Sequence, residues 1–147
     1  MDALNQTQTP IDTDHSQTTI ELTVPARQDM MLVVRLATAG VLARSGLSLD
    51  AVEDMKHAVE EVCICLIRAS GCRALRLTYW LTGQWFGLRA QVDNCPCQGE
   101  TPSDCQCIGD EEIAVIRCVL LSMVSEVDMS FENDCLTAID LRQRLSA

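Results

Sequence analysis

Two groups of side chains have the types and spacing to do chemistry. Residues 93–110 read DNCPCQGETPSDCQCIGD and place four cysteines in two C-x-C pairs, Cys95 with Cys97 and Cys105 with Cys107. Four thiolates suit a closed tetrahedral Zn²⁺ site with Zn–S near ~2.3 Å, and the loop between the pairs is long enough to fold back on one ion. The usual zinc pairing is C-x₂-C, however, and a Zn(Cys)₄ centre carries a formal double negative charge. Asp93, Glu100, Asp104 and Asp110 surround these cysteines without a Lys or Arg to offset it. Two other states fit the same residues: a thiol switch with a disulfide across the pairs, and four reduced cysteines. The second group lies on residues 50–70, DAVEDMKHAVEEVCICLIRAS, where Asp54, Glu61, Cys65 and Arg68 form a polar line and Glu61 stands one turn before Cys65. This line reads either as the solvated edge of a core helix or as the wall of a pocket.

The elements that must position these groups follow from periodicity. Ala51, Val52, Met55, Ala58, Val59, Val62, Cys63, Leu66 and Ile67 repeat at helical spacing, so residues 50–70 form a helix lying on a core, with Asp50 as its cap and Glu53 as capping-box partner. Thr19 to Val24 alternates as a half-buried strand ended by Pro25. Residues 27–45 form a helix that is apolar on more than one face, closed by Gly46; its surplus apolar side chains are either buried or held for a partner, and Arg35 is an isolated charge within it. Residues 73–82 and 85–92 alternate around Gly83-Gln84, which suits a type II′ hairpin. Residues 111–127 read as a strongly apolar helix with acidic Glu111 and Glu112 in its first turn. Two short strands, 129–131 and 136–141, flank Asn133-Asp134. The order predicts an α+β, two-layer sandwich with a mostly antiparallel sheet and three helices on one face.

Composition narrows the function. The chain has 147 residues, is 48% hydrophobic and carries a formal charge of −10, which fits one domain with a real core. Residues 1–17 read as a flexible acidic tail and residues 18–147 as the domain. The charge opposes direct nucleic-acid binding, because phosphate contacts need clustered Lys and Arg, and favours a basic protein surface. No signal peptide or membrane span is legible, so a cytoplasmic location is expected, and nine cysteines there point to thiols or metal rather than a disulfide framework. No glycine-rich phosphate loop is present. His57 has no evident hydrolytic partner, and Glu60 and Glu61, about 100° apart on a helix, do not share one site.

The strand TIELTVPAR, the helix after it and DAVEDMKHAVEEVC resemble the anti-sigma-factor serine kinases, within the histidine-kinase-like ATPase superfamily with the Bergerat fold. The resemblance covers roughly 19–145. Family members read approximately D-L-K-x-A-V-x-E-A-x-x-N-A where this chain has Asp54, Met55, Lys56, His57, Ala58, Val59, Glu60, Glu61, Val62, Cys63, Ile64, Cys65 and Leu66. By that match Glu61 takes the place of the general base and Cys65 that of the Mg²⁺-holding asparagine. A thiol is a poor Mg²⁺ ligand. The family's D-x-G-x-G is here Asp93, Asn94, Cys95, Pro96, Cys97, with the adenine-binding Asp kept and both glycines lost. Its phosphate-cradling G-x-G corresponds to Ala114, Val115, Ile116 at the expected helix start.

The resemblance therefore implies a degenerate member, a pseudo-kinase that regulates transcription as an anti-sigma factor by protein binding and holds no nucleotide. Glu61 and Asp93 would then be vestigial, and Arg35 would lie in the region that grips a sigma factor or related regulator. Homodimers are common in that family. The alternatives are an active ATP-dependent serine kinase, or a metal or redox sensor on the same scaffold. The remaining cysteines, Cys63, Cys65, Cys72, Cys118 and Cys135, are expected in helices and strands as small hydrophobes, with Cys65 at the pocket edge. A zinc site at Cys95, Cys97, Cys105 and Cys107 predicts about one equivalent of metal in protein purified without chelator. Elemental analysis finding less than about a tenth of an equivalent, with four loop thiols alkylated, rules it out.

Overall fold

A computed structural model describes residues 17–93 and 108–145. The cysteines at 95, 97, 105 and 107 and the N-terminal tail lie outside the described residues, as do Glu100 and Asp104. Five strands form one antiparallel sheet: β1 (Thr18–Pro25), β2 (Ala74–Leu81), β3 (Trp85–Asp93), β4 (Glu126–Glu132) and β5 (Cys135–Arg144), in the spatial order β1-β2-β3-β5-β4. Three α-helices complete it: α1 (Met31–Leu42), preceded by a 3₁₀ turn over Gln28–Met30, then α2 (Leu49–Ala69) and α3 (Asp110–Leu121). This is the expected α+β sandwich.

Alternation along the strands creates the core. Leu75, Leu77 and Tyr79 of β2, Phe86, Leu88 and Ala90 of β3, and Ile139 of β5 are all fully buried, with Leu141 nearly so. Helix α2 meets them with Val59, Val62, Cys63 and Leu66, also fully buried, and lies mainly over β3 and β5. Burying one such aliphatic side chain contributes roughly 1.5–3 kcal/mol. Helix α1 buries Met31, Val34, Thr38, Val41 and Leu42, the i, i+3, i+7 face, and packs on α2 and β2. One buried polar link joins its layer to the sheet: the Thr38 hydroxyl donates to the Val34 carbonyl at 2.8 Å, leaving its oxygen to accept from the Tyr79 hydroxyl at 2.9 Å.

Several local expectations are corrected. The cap of α2 is Ser48, whose hydroxyl accepts from the Ala51 N–H at 3.2 Å, so the helix begins ahead of Asp50; Glu53 pairs instead with Lys56 at 2.8 Å. Gly83 does not adopt positive φ. The β2–β3 connection is organised by Thr82, whose hydroxyl oxygen accepts from the N–H groups of Gln84 and Trp85 at 3.1 and 2.9 Å. Helix α3 ends at Leu121 rather than 127: Val124 and Val127 are buried, but by the turn and by β4. Strands β4 and β5 run longer than expected and meet at Asn133 and Asp134, both at positive φ (53° and 64°), as a tight hairpin turn requires. Gly71 (φ 47°) follows the Ser70 cap of α2, where a left-handed residue ends a helix, whereas α1 already ends at Leu42 with Ala43 as its cap, so Gly46 (φ 82°) belongs to the turn beyond it rather than closing a helix over 27–45.

The opposite face of the sheet carries polar and aromatic side chains. Arg89 pairs with Asp140 at 2.7 Å, Arg142 and Arg144 stand 4.6 and 5.1 Å over the Trp85 ring, and Trp80 lies beside Gly87, where an added Cβ would come within 3.2 Å of its ring.

Tyr79 is the chain's one tyrosine, so its ionisation can be read directly. Burial pushes its pKa up to about 12, against the lowering effect of the Thr38 hydrogen bond. The folded state thus holds the phenolic proton more tightly than the unfolded chain. Tyrosinate absorbance should rise with a midpoint near 12 in native protein, and stability should be constant below pH ~10 and fall above it. Thr38→Val, which leaves the phenol without its partner, should cost about 1–3 kcal/mol in denaturant unfolding.

Candidate functional site

The polar line on α2 divides when the helix is placed. Asp54, Glu61 and Arg68 are exposed, whereas Cys65 is buried at 3% exposure. The reason is helical phase: Cys65 stands three residues after Val62 and one before Leu66, so it shares the edge of the buried stripe. Its surroundings oppose a thiolate. Burial pushes its pKa up to about 11, with Arg68 pulling it down and Glu112 and Glu61 adding to the rise. Cys65 is thus a neutral thiol in the position where the resemblance places the Mg²⁺-holding asparagine.

Helix α3 lies alongside this part of α2. Arg68 near the end of α2 pairs with Glu112 in the first turn of α3 at 2.5 Å. Between the helices is a groove of about 240 Å³ lined by Glu61, Arg68, Glu112, Val115, Ile116, Val119 and Leu120. The start of α3 differs from expectation. It begins at Asp110 with Gly109 as cap, so Ala114, Val115 and Ile116 lie in its second turn and wall the groove rather than opening the helix. The opening turn carries Asp110, Glu111 and Glu112. Carboxylates there satisfy the positive end of the helix dipole, and they repel a phosphate that would otherwise use it.

The remaining candidate residues are dispersed. Asp93, at the end of β3, pairs with Arg76 at 3.4 Å; strand parity sets both on the face opposite Phe86, Leu88 and Val92, so Asp93 does not share the groove with Glu61. His57 is exposed on α2. Arg35 pairs with Glu60 at 3.6 Å, linking α1 to α2, and remains 45% exposed. Around it the surplus apolar side chains of α1 are on the surface: Leu32 is 57% and Leu36 64% exposed, with Val33 at 40%. Mg²⁺ prefers hard oxygen and a triphosphate prefers N–H or cationic donors; among the described residues, Cys65 offers a thiol and the first turn of α3 offers three carboxylates.

The cysteines beyond the loop also separate. Cys63, Cys65 and Cys72 are buried, and Cys118 on α3 is exposed. Cys135, expected as a buried hydrophobe, is disulfide-bonded, and none of these four is its partner. Spacing within the sequence carries no signal for that bond, because Cys135 belongs to neither C-x-C pair. Among the described residues no cluster of three or more His, Cys, Asp or Glu is arranged to hold a metal ion, and no helix is long and apolar enough to cross a membrane.

Over 49 residues the chain is 47% identical to the serine-protein kinase RsbW of Halalkalibacterium halodurans, a match that covers 33% of this chain and 30% of that protein. Over 49 residues it is 39% identical to the proteins of the same name from Bacillus cereus and Bacillus thuringiensis, covering 33% of this chain and 31% of theirs. The chain thus spans less than a third of the length of the curated relatives it matches. No family model matches it.

The thiol environments predict a reactivity order. Cys63, pushed up to about 12 by burial and by Glu60, and Cys65 should resist alkylation in native protein at neutral pH. Cys118, exposed on α3, should label ahead of Cys63 and Cys65. Peptide mapping after brief iodoacetamide treatment checks this; modification of Cys65 as fast as Cys118 would contradict the buried, protonated assignment.

Proposed function

We propose that this chain, similar to RsbW serine-protein kinases over a third of its length, is a regulatory protein of the anti-sigma-factor serine kinase family that acts by gripping a protein partner rather than by phosphoryl transfer. The observation that carries this reading is the uncovered apolar surface of α1. Leu32, Val33 and Leu36 are exposed although the same helix buries a complete second face. Apolar side chains grouped at helical spacing around a charged residue have the makeup of an interface with a polar contact at its centre. The partner we propose is a sigma factor or a related switch protein, with Arg35 as the charged contact. Arg35 is held by a single long ion pair to Glu60, so it can exchange that partner for a carboxylate on the bound protein at little cost.

The protein is proposed to be a pseudo-kinase. Supporting this are a protonated, buried Cys65 in the asparagine position, three carboxylates in the opening turn of α3, and Asp93 engaged by Arg76 on the other face of the sheet. Each removes a different contact: metal, phosphate and adenine. One charge-assisted hydrogen bond is worth roughly 1.5–3 kcal/mol, so losing metal and phosphate contacts together removes micromolar affinity.

Two measurements test the reading. Titration calorimetry with Mg-ATP should give no binding in the micromolar range; a dissociation constant of a few micromolar would overturn the pseudo-kinase assignment. Co-purification with sigma factors from the same genome should recover a partner from wild type that Arg35→Glu and Leu36→Glu each weaken by at least about tenfold. A recovered partner that both variants bind as tightly as wild type would overturn the α1 assignment.

A further inference from the structure

The groove between α2 and α3 is a second apolar surface with a different charge around it. Val115 is 61% and Val119 45% exposed, and they continue into the groove walls formed by Ile116 and Leu120. Only Leu120 of α3 is fully buried, so this helix leaves most of its apolar side chains uncovered. Two carboxylates line it, Glu61 on α2 and Glu112 on α3, and the first turn of α3 adds Asp110 and Glu111 beside Glu112. Among the described residues Arg68 is the one cation lining the groove, and Glu112 engages it.

We propose that this groove is a docking site for a basic amphipathic helix of a protein partner. The apolar side of that helix would cover Val115 and Val119 and insert one aliphatic side chain between α2 and α3. Its Lys and Arg side chains would meet Glu61 and the carboxylates at the start of α3. Charge chooses among the occupants. A second copy of this chain, net −10, would set its own acidic rim against this one. The chain's segments outside the described residues carry acids and no Lys or Arg, so their sequence offers no cation to match these carboxylates. An anionic lipid surface meets the same repulsion. A cationic helix gains from every carboxylate on the rim, which speeds its encounter and fixes its orientation. The site is separate from the α1 surface and does not rest on it.

The test uses a labelled synthetic peptide of about 18 residues with Leu on one face and Lys on the other, long enough to hold a helix when docked, and a control peptide with Glu in place of Lys. Fluorescence anisotropy with the full chain should show binding of the Lys peptide, weakening with added salt, and none of the Glu peptide. The charge-preserving double variant Val115→Ser/Val119→Ser, at exposed positions that leave the core intact, should weaken binding at least about tenfold. Glu61→Gln/Glu111→Gln should weaken it and flatten its salt dependence, while Leu36→Glu on α1 should leave it unchanged. No binding of the Lys peptide, equal binding by the Val115/Val119 variant, or loss of binding on Leu36→Glu would overturn the proposal. The last two outcomes would move the peptide to general charge attraction and to α1, respectively.

Discussion

The structure depends on the burial of one face of α2. Val59, Val62, Cys63 and Leu66 have no exposed surface, and the strand residues beneath them, Leu88 of β3 and Ile139 of β5 among them, have none either. Removing water from both sides of this contact fixes the rotation of α2 about its axis, because any turn would expose part of the stripe. Every other placement on the helix then follows from its phase. Glu61 and Arg68 fall outside the stripe and reach solvent beside α3, Glu60 points to Arg35 on α1, and Cys65 is drawn under the surface.

That same burial governs the chemistry of the groove. A cysteine one position outside the core would have been a thiolate candidate beside a cation, with Arg68 near it. Burial and the carboxylates of Glu112 and Glu61 outweigh Arg68, and the thiol keeps its proton. The ion pair between Arg68 and Glu112 is exposed and contributes little to stability. Its effect is electrostatic and local: it engages the cation lining the groove.

The molecule therefore presents two apolar surfaces with different chemistry. On α1 the exposed side chains surround an arginine; on α3 they are bordered by acids. The sheet's far face differs from both, since Arg89 with Asp140, Arg76 with Asp93 and Arg142 with Glu126 neutralise one another there.

Alternation in residues 74–93 and the helical stripe in residues 50–70 determined the sandwich, since periods of 2 and 3.6 leave one consistent way to bury Leu75, Leu77, Phe86 and Leu88 against Val59, Val62 and Leu66. The surplus apolar character of α1 was also legible, though its exposure was not: composition records that Leu32 and Leu36 are apolar and says nothing of what covers them. Local ends were the least legible. Val124 and Val127 extend the apolar pattern of α3, but they are buried by the chain after it has turned into β4. Tertiary structure alone decided that Cys65 is buried, that Asp93 lies across the sheet from Glu61, and that Glu112 meets Arg68. Each depends on the rotation of one element against another. That rotation is set by long-range packing between residues dozens of positions apart, for which no short stretch of sequence carries a signal.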